Sequence, residues 1–181
     1  MKISAIIITI FFTTHFATYS QDFIEIGISA GPAFMSSDSP YISGFTTSVS
    51  AGAGKLYNTL SPRVTFYYAG DINSLLPASD RSYYPFIKAF AAKGIYAVNI
   101  SSNFYYEQGL GLFIANDRIF RSTNSWAPGF IVSALGGADL RGESYSGFRI
   151  GIGGEYGLTV YNRYIRYIGI FFQAQYIIAL K

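Results

Sequence analysis

Residues 147–160, GFRIGIGGEYGLTV, constrain the fold more than any other part of the chain. Successive side chains on a β-strand point to opposite faces, so this segment would have two very different faces. Its even positions are apolar apart from Gly154, whereas its odd positions hold glycines, Arg149, Glu155 and Thr159. An apolar face opposite a small or charged face is typical of a strand between lipid and a narrow polar lumen. The segment therefore predicts a small membrane barrel.

Seven further segments repeat this alternation and bring the predicted number of strands to eight. Each is about as long as a tilted strand that crosses a bilayer, roughly 9–11 residues. An even number of strands closes a barrel and removes the unpaired sheet edges that lipid would not tolerate. The predicted fold class is all-β, a closed, up-and-down, antiparallel transmembrane β-barrel formed by residues 21–181. The seven segments are residues 23–34, 41–54, 60–70, 94–106, 108–115, 129–140 and 165–180.

The composition agrees with a surface that faces something less polar than water. Hydrophobic residues make up 50% of the 181 residues, aromatic residues 18% and charged residues only 13%. Typical soluble domains carry about 25% charged residues. The formal net charge of +3 is too small to indicate a nucleic-acid partner, and the absence of cysteine excludes disulfides and thiolate metal sites.

The first 20 residues have the organisation of a cleaved secretory signal peptide. Lys2 supplies the positive start, residues 3–12 form a short apolar core, and small residues precede a cleavage point after Ser20. The alternative is an anchoring helix. A spanning helix needs roughly 20 apolar residues, and residues 13–15 interrupt this one too early.

The connections are expected to be short at one end of the barrel and longer at the other. Short inner turns are predicted near residues 55–59, 107–109 and 141–146. Outer loops are predicted near residues 35–42, 70–93, 116–128 and 161–164. Residues 85–93 have two interpretations, since Pro85 and Gly94 would suit the ends of a short helix, whereas the residue pattern also suits the start of the fourth strand. Both remain open, with the strand favoured.

The chain resembles the small eight-stranded outer-membrane β-barrel proteins of Gram-negative bacteria. The resemblance rests on the signal peptide, the alternating strands and the glycine-rich segments GLGLF (109–113) and GIGGEYG (151–157). It implies an outer-membrane location, a surrounding shell of outer-membrane lipid and recognition by the barrel assembly machinery. Many such barrels end in an aromatic residue; here the chain ends Ala179-Leu180-Lys181, with Tyr176 as the nearest aromatic.

Six polar side chains are predicted to point into the lumen. An eight-stranded barrel is just wide enough for side chains to fill, so enclosed charges must find opposite charges or several hydrogen bonds. One interpretation is an ion-pair and hydrogen-bond network that plugs the lumen; the other is a gated pore whose latch is that network. The six predicted residues are Glu25, Arg63, Arg149, Glu155, Gln173 and Gln175.

Three aromatic residues near the strand ends are candidates for contacts outside the membrane. Tyr83, Tyr84 and Trp126 would fit an aromatic girdle at the membrane interface, or they would bind a ligand. The loops at residues 70–85 and 116–128 are the expected contact surface for an extracellular or periplasmic protein partner.

No catalytic, cofactor-binding or metal-binding residues are predicted. A Ser–His pair of the kind used by lipid-hydrolysing barrels is excluded, because the sole histidine, His15, lies in the predicted signal peptide. Asp71, Asp80 and Asp117 lie in predicted loops, but nothing in the sequence brings them together. The predicted function is a non-enzymatic structural or surface-interaction role. The alternatives are a narrow solute pore, a lipid-modifying enzyme and a soluble lipocalin-like carrier with its apolar face inward.

Overall fold

The computed structural model describes residues 22–37, 40–55, 60–76, 82–141, 145–161 and 164–180. These residues form a closed antiparallel barrel of eight strands, which confirms the predicted fold class. The predicted signal peptide, residues 1–20, lies outside the described part. The strands are β1 (Asp22–Ser37), β2 (Ile42–Lys55), β3 (Leu60–Asp71), β4 (Phe86–Asn99), β5 (Phe104–Arg118), β6 (Ser125–Asp139), β7 (Gly147–Thr159) and β8 (Ile165–Ala179).

Helical structure in the described residues is limited to one turn of 3-10 helix, Ile72–Leu75, which follows β3. The Asp71 side chain accepts a hydrogen bond from the backbone N–H of Asn73 and so caps this turn. Within the described ranges, we find no helix with the length and apolar character that a membrane crossing requires.

Each strand pairs with its neighbours in the sequence, and β1 pairs with β8 to close the sheet. Following the paired residues once around the barrel from Glu25 leads back to β1 at Met35, ten residues further along (35 − 25 = 10). Such a stagger requires the strands to tilt by roughly 35–45° from the barrel axis. The residues on this path are Glu25, Gly52, Arg63, Lys93, Gly111, Ile131, Gly157, Tyr167 and Met35.

Most of the large apolar side chains of the strands point away from the barrel axis. Ile152 is 65% exposed and Phe172 52%, whereas Arg149 and Glu155 are buried. The same division holds in β1, where Ile24, Ile26 and Ile28 are exposed. This orientation is the reverse of that in a lipocalin-like carrier, whose apolar face surrounds a ligand. An apolar outer wall around an interior that encloses the charged side chains is the arrangement of a barrel in lipid.

Residues 86–93 belong to a strand, so the helix interpretation of residues 85–93 is wrong. β4 runs from Phe86 to Asn99 and alternates between buried and exposed side chains over most of its length. These residues form a strand instead of a helix because β4 lies between β3 and β5. Each of these neighbours offers a full ladder of backbone hydrogen-bond partners.

The predicted turn at residues 107–109 is also wrong. The chain turns at residues 100–103, where the backbone N–H groups of Ile100 and Ser101 both donate to the carbonyl of Phe104. Serine and asparagine favour such turns, because their side chains can form hydrogen bonds with backbone groups that no longer pair with a neighbouring strand. Glu107 therefore lies within β5. The loop predicted at residues 116–128 is shorter as well, since β5 continues to Arg118 and β6 begins at Ser125.

An arginine in the middle of the outer wall is expected to destabilise the barrel more than one at its edge. Leu110 lies halfway along the outer face of β5 and is 65% exposed, whereas Phe104 lies at the end of the same strand. In phospholipid vesicles, Leu110→Arg should lower the free energy of unfolding by about 2–4 kcal/mol and Phe104→Arg by about 0–1 kcal/mol. Denaturant titration of the refolded protein measures both values.

The matched controls are Leu110→Ala and Phe104→Ala, which separate the cost of the charge from the loss of the side chain. Equal costs for the two arginines, after subtraction of the alanine values, would show that this wall does not face hydrocarbon.

Candidate functional site

The six side chains predicted to face the lumen all lie inside the barrel, between the two ends of its strands. Their exposed fractions range from 1% for Gln175 to 8% for Arg149 and Gln173. We call the end that contains Asp22 and Ala179 the base, and the opposite end, with Ser37 and Ile165, the loop end.

A continuous row of alternating charges occupies the lumen near the base. The Nε of Arg63 lies 2.6 Å from Oε1 of Glu25, and its Nη1 lies 2.9 Å from Oε2 of Glu107. The Nη1 of Arg149 lies 3.9 Å from Oε1 of the same Glu107, and its Nε 2.8 Å from Oδ2 of Asp139. We call this row, which ends at Arg141, the basal network. Its members in order are Glu25, Arg63, Glu107, Arg149, Asp139 and Arg141.

Gln175, which is hydrogen-bonded to Gln173, adds an acceptor for Arg63. With its amide oxygen turned toward the guanidinium, Gln175 accepts from Nη2 of Arg63 at 2.9 Å and also accepts from the amide of Gln173. A guanidinium has five N–H donors, and the two carboxylates do not accept hydrogen bonds from all five of them in Arg63. Gln175 therefore stabilises a cation that is almost fully enclosed.

A second cluster lies one step closer to the loop end and is centred on Glu155. The hydroxyl groups of Tyr67 and Tyr167 donate to its two carboxylate oxygens at 2.9 and 2.7 Å. Lys93 lies 3.8 Å from the carboxylate and donates to the Tyr67 oxygen at 2.8 Å. We call these four residues the Glu155 cluster.

The two groups are balanced in charge. Among the described residues they contain four acidic side chains and four basic ones. Charges enclosed in so narrow an interior are stable only when they are paired and hydrogen-bonded, which explains the balance. The acidic residues are Glu25, Glu107, Asp139 and Glu155, and the basic residues are Arg63, Lys93, Arg141 and Arg149.

The half of the lumen toward the loop end is mainly apolar, with the hydrogen-bonded pair of Ser37 and Asp117 near its end. The rings of Tyr67, Phe113 and Tyr167 contact one another across it, with centroids 6.0 to 6.4 Å apart. Aliphatic side chains from all around the barrel fill the space beyond these rings. We call the three rings the ring layer; the buried side chains that surround them include Met35, Ile87, Ile119, Ile131 and Ile165.

Glycines provide the space for these inward side chains. An added Cβ at Gly52 would collide with Glu25, which reaches past that position to contact Arg63 two strands away. An added Cβ at Gly157 would lie 3.1 Å from the ring of Phe113. The glycines on the inner face are thus needed where a large side chain crosses the lumen.

Four of the eight enclosed charges were not predicted from the sequence: Lys93, Glu107, Asp139 and Arg141. Lys93 fell in the segment for which a helix remained open, and Glu107 was assigned to a turn. One signal was present in the sequence: Tyr105, Glu107 and Gly109 continue the inward alternation of β5 toward Phe113. The polar run at residues 99–103 was the better candidate for the turn.

The three predicted aromatic contacts lie at the loop end but in different environments. Trp126 belongs to β6, is 47% exposed and stacks on Phe90 with centroids 6.1 Å apart. The hydroxyl of Tyr83 donates to the carbonyl of Arg118, which attaches the segment before β4 to the end of β5. Tyr84 is half-buried next to it.

The predicted loop acids are not brought together at a reactive centre. Asp117 is buried and accepts from the Ser37 hydroxyl at 2.6 Å, while Asp71 caps the 3-10 turn. Asp80 and His15 lie outside the described residues. Across the part of the chain that the structure describes, no group of three or more His, Cys, Asp or Glu side chains is placed to hold a metal ion.

Comparison with solved structures identifies the architecture. Neisserial surface protein A aligns with a TM-score of 0.62 and 17% identity over 84% of this chain and 96% of its own. Ail of Yersinia pestis, in complex with the heparin analogue sucrose octasulfate, gives 0.54 and 12% over 87% and 99%. The N-terminal β-barrel domain of Pseudomonas aeruginosa OprF gives 0.50 and 9% over 87% and 98%. The fold is that of the small outer-membrane barrels.

These identities are low, so the comparisons show the fold and not a shared activity. No protein-family model matches the chain, and the search of curated proteins finds no match either.

Removal of Arg63 is expected to be strongly destabilising, because it leaves Glu25 and Glu107 enclosed without their shared cation. The variant Arg63→Met should lose about 3–5 kcal/mol of unfolding free energy, the usual cost of breaking a buried ion pair. Neutralising the acids as well, in Arg63→Met/Glu25→Gln/Glu107→Gln, should restore most of the loss. Denaturant titration in detergent micelles measures both values.

Arg166→Met is the matched control, because Arg166 is exposed on the outer face of β8. Its effect should stay within about 0.5 kcal/mol. If the triple variant were as unstable as Arg63→Met, the pairing of charge would not be what stabilises the lumen.

Proposed function

We propose that the protein is a non-enzymatic, integral outer-membrane barrel whose lumen is closed by its own side chains, and that it has a structural or surface-interaction role. The observation that carries this proposal is the division of the lumen into two layers. Paired charges occupy the base, and the ring layer with its aliphatic neighbours occupies the loop end.

The membrane location is supported by the outer wall. Large apolar side chains that are more than half exposed occur on every strand except β4, whose Phe90 is 49% exposed. Aromatic residues lie at both ends of the wall, as Phe148 and Tyr176 do at the base and Trp126 does at the loop end. Aromatic girdles that flank an apolar band mark the two interfaces of a bilayer. The predicted signal peptide agrees with export to this membrane.

The closed lumen is supported by the side chains that occupy it from the base to the loop end. A dissolved ion that entered from the base would meet charges already paired with one another. Beyond Glu155 it would meet the rings of Tyr67, Phe113 and Tyr167, which offer no charge to replace its hydration shell. The narrow-pore alternative requires the basal network to act as a latch and the ring layer to move.

A surface role is supported by the way the loop end is built. Tyr83 ties the segment before β4 to β5, which gives a defined surface from which Tyr84 and Trp126 are candidates for partner contacts. Ail, which has the same fold, was crystallised with a sulfated heparin analogue. An extracellular or periplasmic protein partner, and recognition by the barrel assembly machinery, remain predictions.

The proposal that the protein is not an enzyme is supported by the structural hydrogen bonds of two loop aspartates, Asp117 and Asp71. Asp117 receives hydrogen bonds from Ser37 and from the backbone of Ile119, so its carboxylate is occupied inside the barrel. Asp71 has a structural role in the 3-10 turn. A lipid-modifying activity that disappears when a loop aspartate is replaced would favour the enzyme alternative.

Measurement of conductance in planar bilayers tests the closed lumen. The parent protein should produce no steady channel current, and neither should Arg149→Ala or Glu155→Ala, because the ring layer still separates the two sides. Phe113→Ala/Tyr167→Ala, which removes two of the three rings, should increase the ion leak. The shift of unheated folded protein on a denaturing gel verifies that each variant is folded.

A steady current through the parent that changes in Arg149→Ala or Glu155→Ala would contradict the closed lumen and favour a pore gated by the basal network.

A further inference from the structure

The outer wall near the loop end carries a cluster of aromatic side chains on β3, β4 and β6. Tyr68 stacks on Phe86 with centroids 5.7 Å apart, and Phe90 lies between Phe66 at 5.0 Å and Trp126 at 6.1 Å. We call these five residues the outer aromatic cluster. Tyr68 and Phe86 lie near the loop ends of their strands, where aromatic residues meet lipid headgroups in membrane barrels.

Two cations lie within this cluster and share one ring. The Nζ of Lys88 lies 5.3 Å from the centroid of Phe86, and the guanidinium carbon of Arg118 lies 5.8 Å from it. Lys88 is two residues beyond Phe86 on the same face of β4, and Arg118 is paired with Phe86 across the sheet. The sheet therefore holds two positive charges close together on its lipid-facing side.

Among the described residues, neither cation has a carboxylate partner. The ion pairs found there join lumen residues, and Arg118 retains a buried Nε without a hydrogen-bond acceptor. The backbone of Arg118 is held in place, since its carbonyl accepts from Tyr83. Lys88 is exposed and Arg118 is half-buried, so an acceptor from outside the chain can reach this pair of cations.

We propose that Lys88 and Arg118 bind the phosphate of an anionic lipid headgroup at the loop end of the barrel. A phosphate offers several charged oxygens to a guanidinium and an ammonium, and such charge-assisted hydrogen bonds are among the stronger ones. The site follows from the membrane location in the proposed function and adds to it a ligand class and two binding residues.

A lipid fits this site better than a dissolved anion because of the surface next to it. Phe90 is two residues nearer the middle of the wall than Lys88 on the same face, and it is 49% exposed. Phe66 and Trp126 flank it with exposed fractions of 38% and 47%. A headgroup at Lys88 and Arg118 thus places its acyl chains along these rings.

The single tryptophan of the chain makes the site measurable. Trp126 lies in the same row of the sheet as Lys88, with Asn116 between them. Lipids with brominated acyl chains quench tryptophan fluorescence on contact, so Trp126 reports which lipid is adjacent. The experiment compares brominated phosphatidylglycerol with brominated phosphatidylcholine, using full-length protein refolded into vesicles.

Phosphatidylglycerol is expected to be preferred by about fivefold for each of the two cations, the usual effect of a cation near an anionic lipid surface. Lys88→Gln/Arg118→Gln should reduce the preference to about equal binding. Arg166→Gln is the matched control, because this exposed cation lies on the outer face of β8, near its loop end and away from β4 and β5. It should leave the preference unchanged.

Equal quenching of the parent protein by both lipids would contradict the proposed lipid site. So would an Arg166→Gln variant that loses as much of the phosphatidylglycerol preference as the double variant does. Inorganic phosphate should not compete; full competition would show a site for soluble anions instead. If the double variant fails to fold, added salt must still weaken the preference of the parent, and a salt-independent preference would contradict the proposal. A parent that does not insert into vesicles at all would overturn the proposed membrane location together with the site.

Discussion

The need to pair every enclosed charge is the constraint on which the rest of the structure depends. Eight strands leave an interior that side chains fill, so a charge inside cannot keep a full shell of water. The basal network and the Glu155 cluster satisfy this need with four acids and four bases among the described residues. The position of Gly52 follows from the same need, because a larger residue there would separate Glu25 from Arg63.

Under the proposed function, the side chains that fill the barrel leave its outer wall and its loop end as the surfaces for recognition. A lumen with paired charges at the base and the ring layer at the loop end is a support that holds the strands at fixed positions. Cations and aromatic rings are unevenly distributed over the outer wall and the loop end, so one side of the barrel differs from the other. Recognition of lipid or of a partner is therefore expected there.

The alternation of side chains was sufficient to predict the fold class and the face on which most residues lie. It depends only on the two-residue period of a strand, so Arg63, Glu155 and Gln175 could be assigned to the interior without a model of the barrel. The turn between β4 and β5 was missed because Glu107-Gln108-Gly109 and the polar run at 99–103 are both compatible with a turn, and only the pairing with β6 distinguishes them.

The contacts within the lumen could not be predicted in the same way. Alternation gives the face of a residue, but its height above the base depends on the ten-residue stagger of the closed sheet. Arg63 meets Glu107 of β5 and Gln175 of β8 because the stagger brings these three positions to similar heights. The stagger of a closed sheet cannot be determined from a sequence pattern.

The ion pairs of Arg63 also link membrane insertion to completion of the sheet. Its partners Glu25 and Glu107 lie on β1 and β5, and Glu155 on β7 receives hydrogen bonds from β3 and β8. A half-assembled sheet would bring these carboxylates and the guanidinium into hydrocarbon unpaired, in addition to its open backbone edges. Assembly by strand-by-strand crossing is thereby disfavoured, and the cylinder must close as it enters the bilayer.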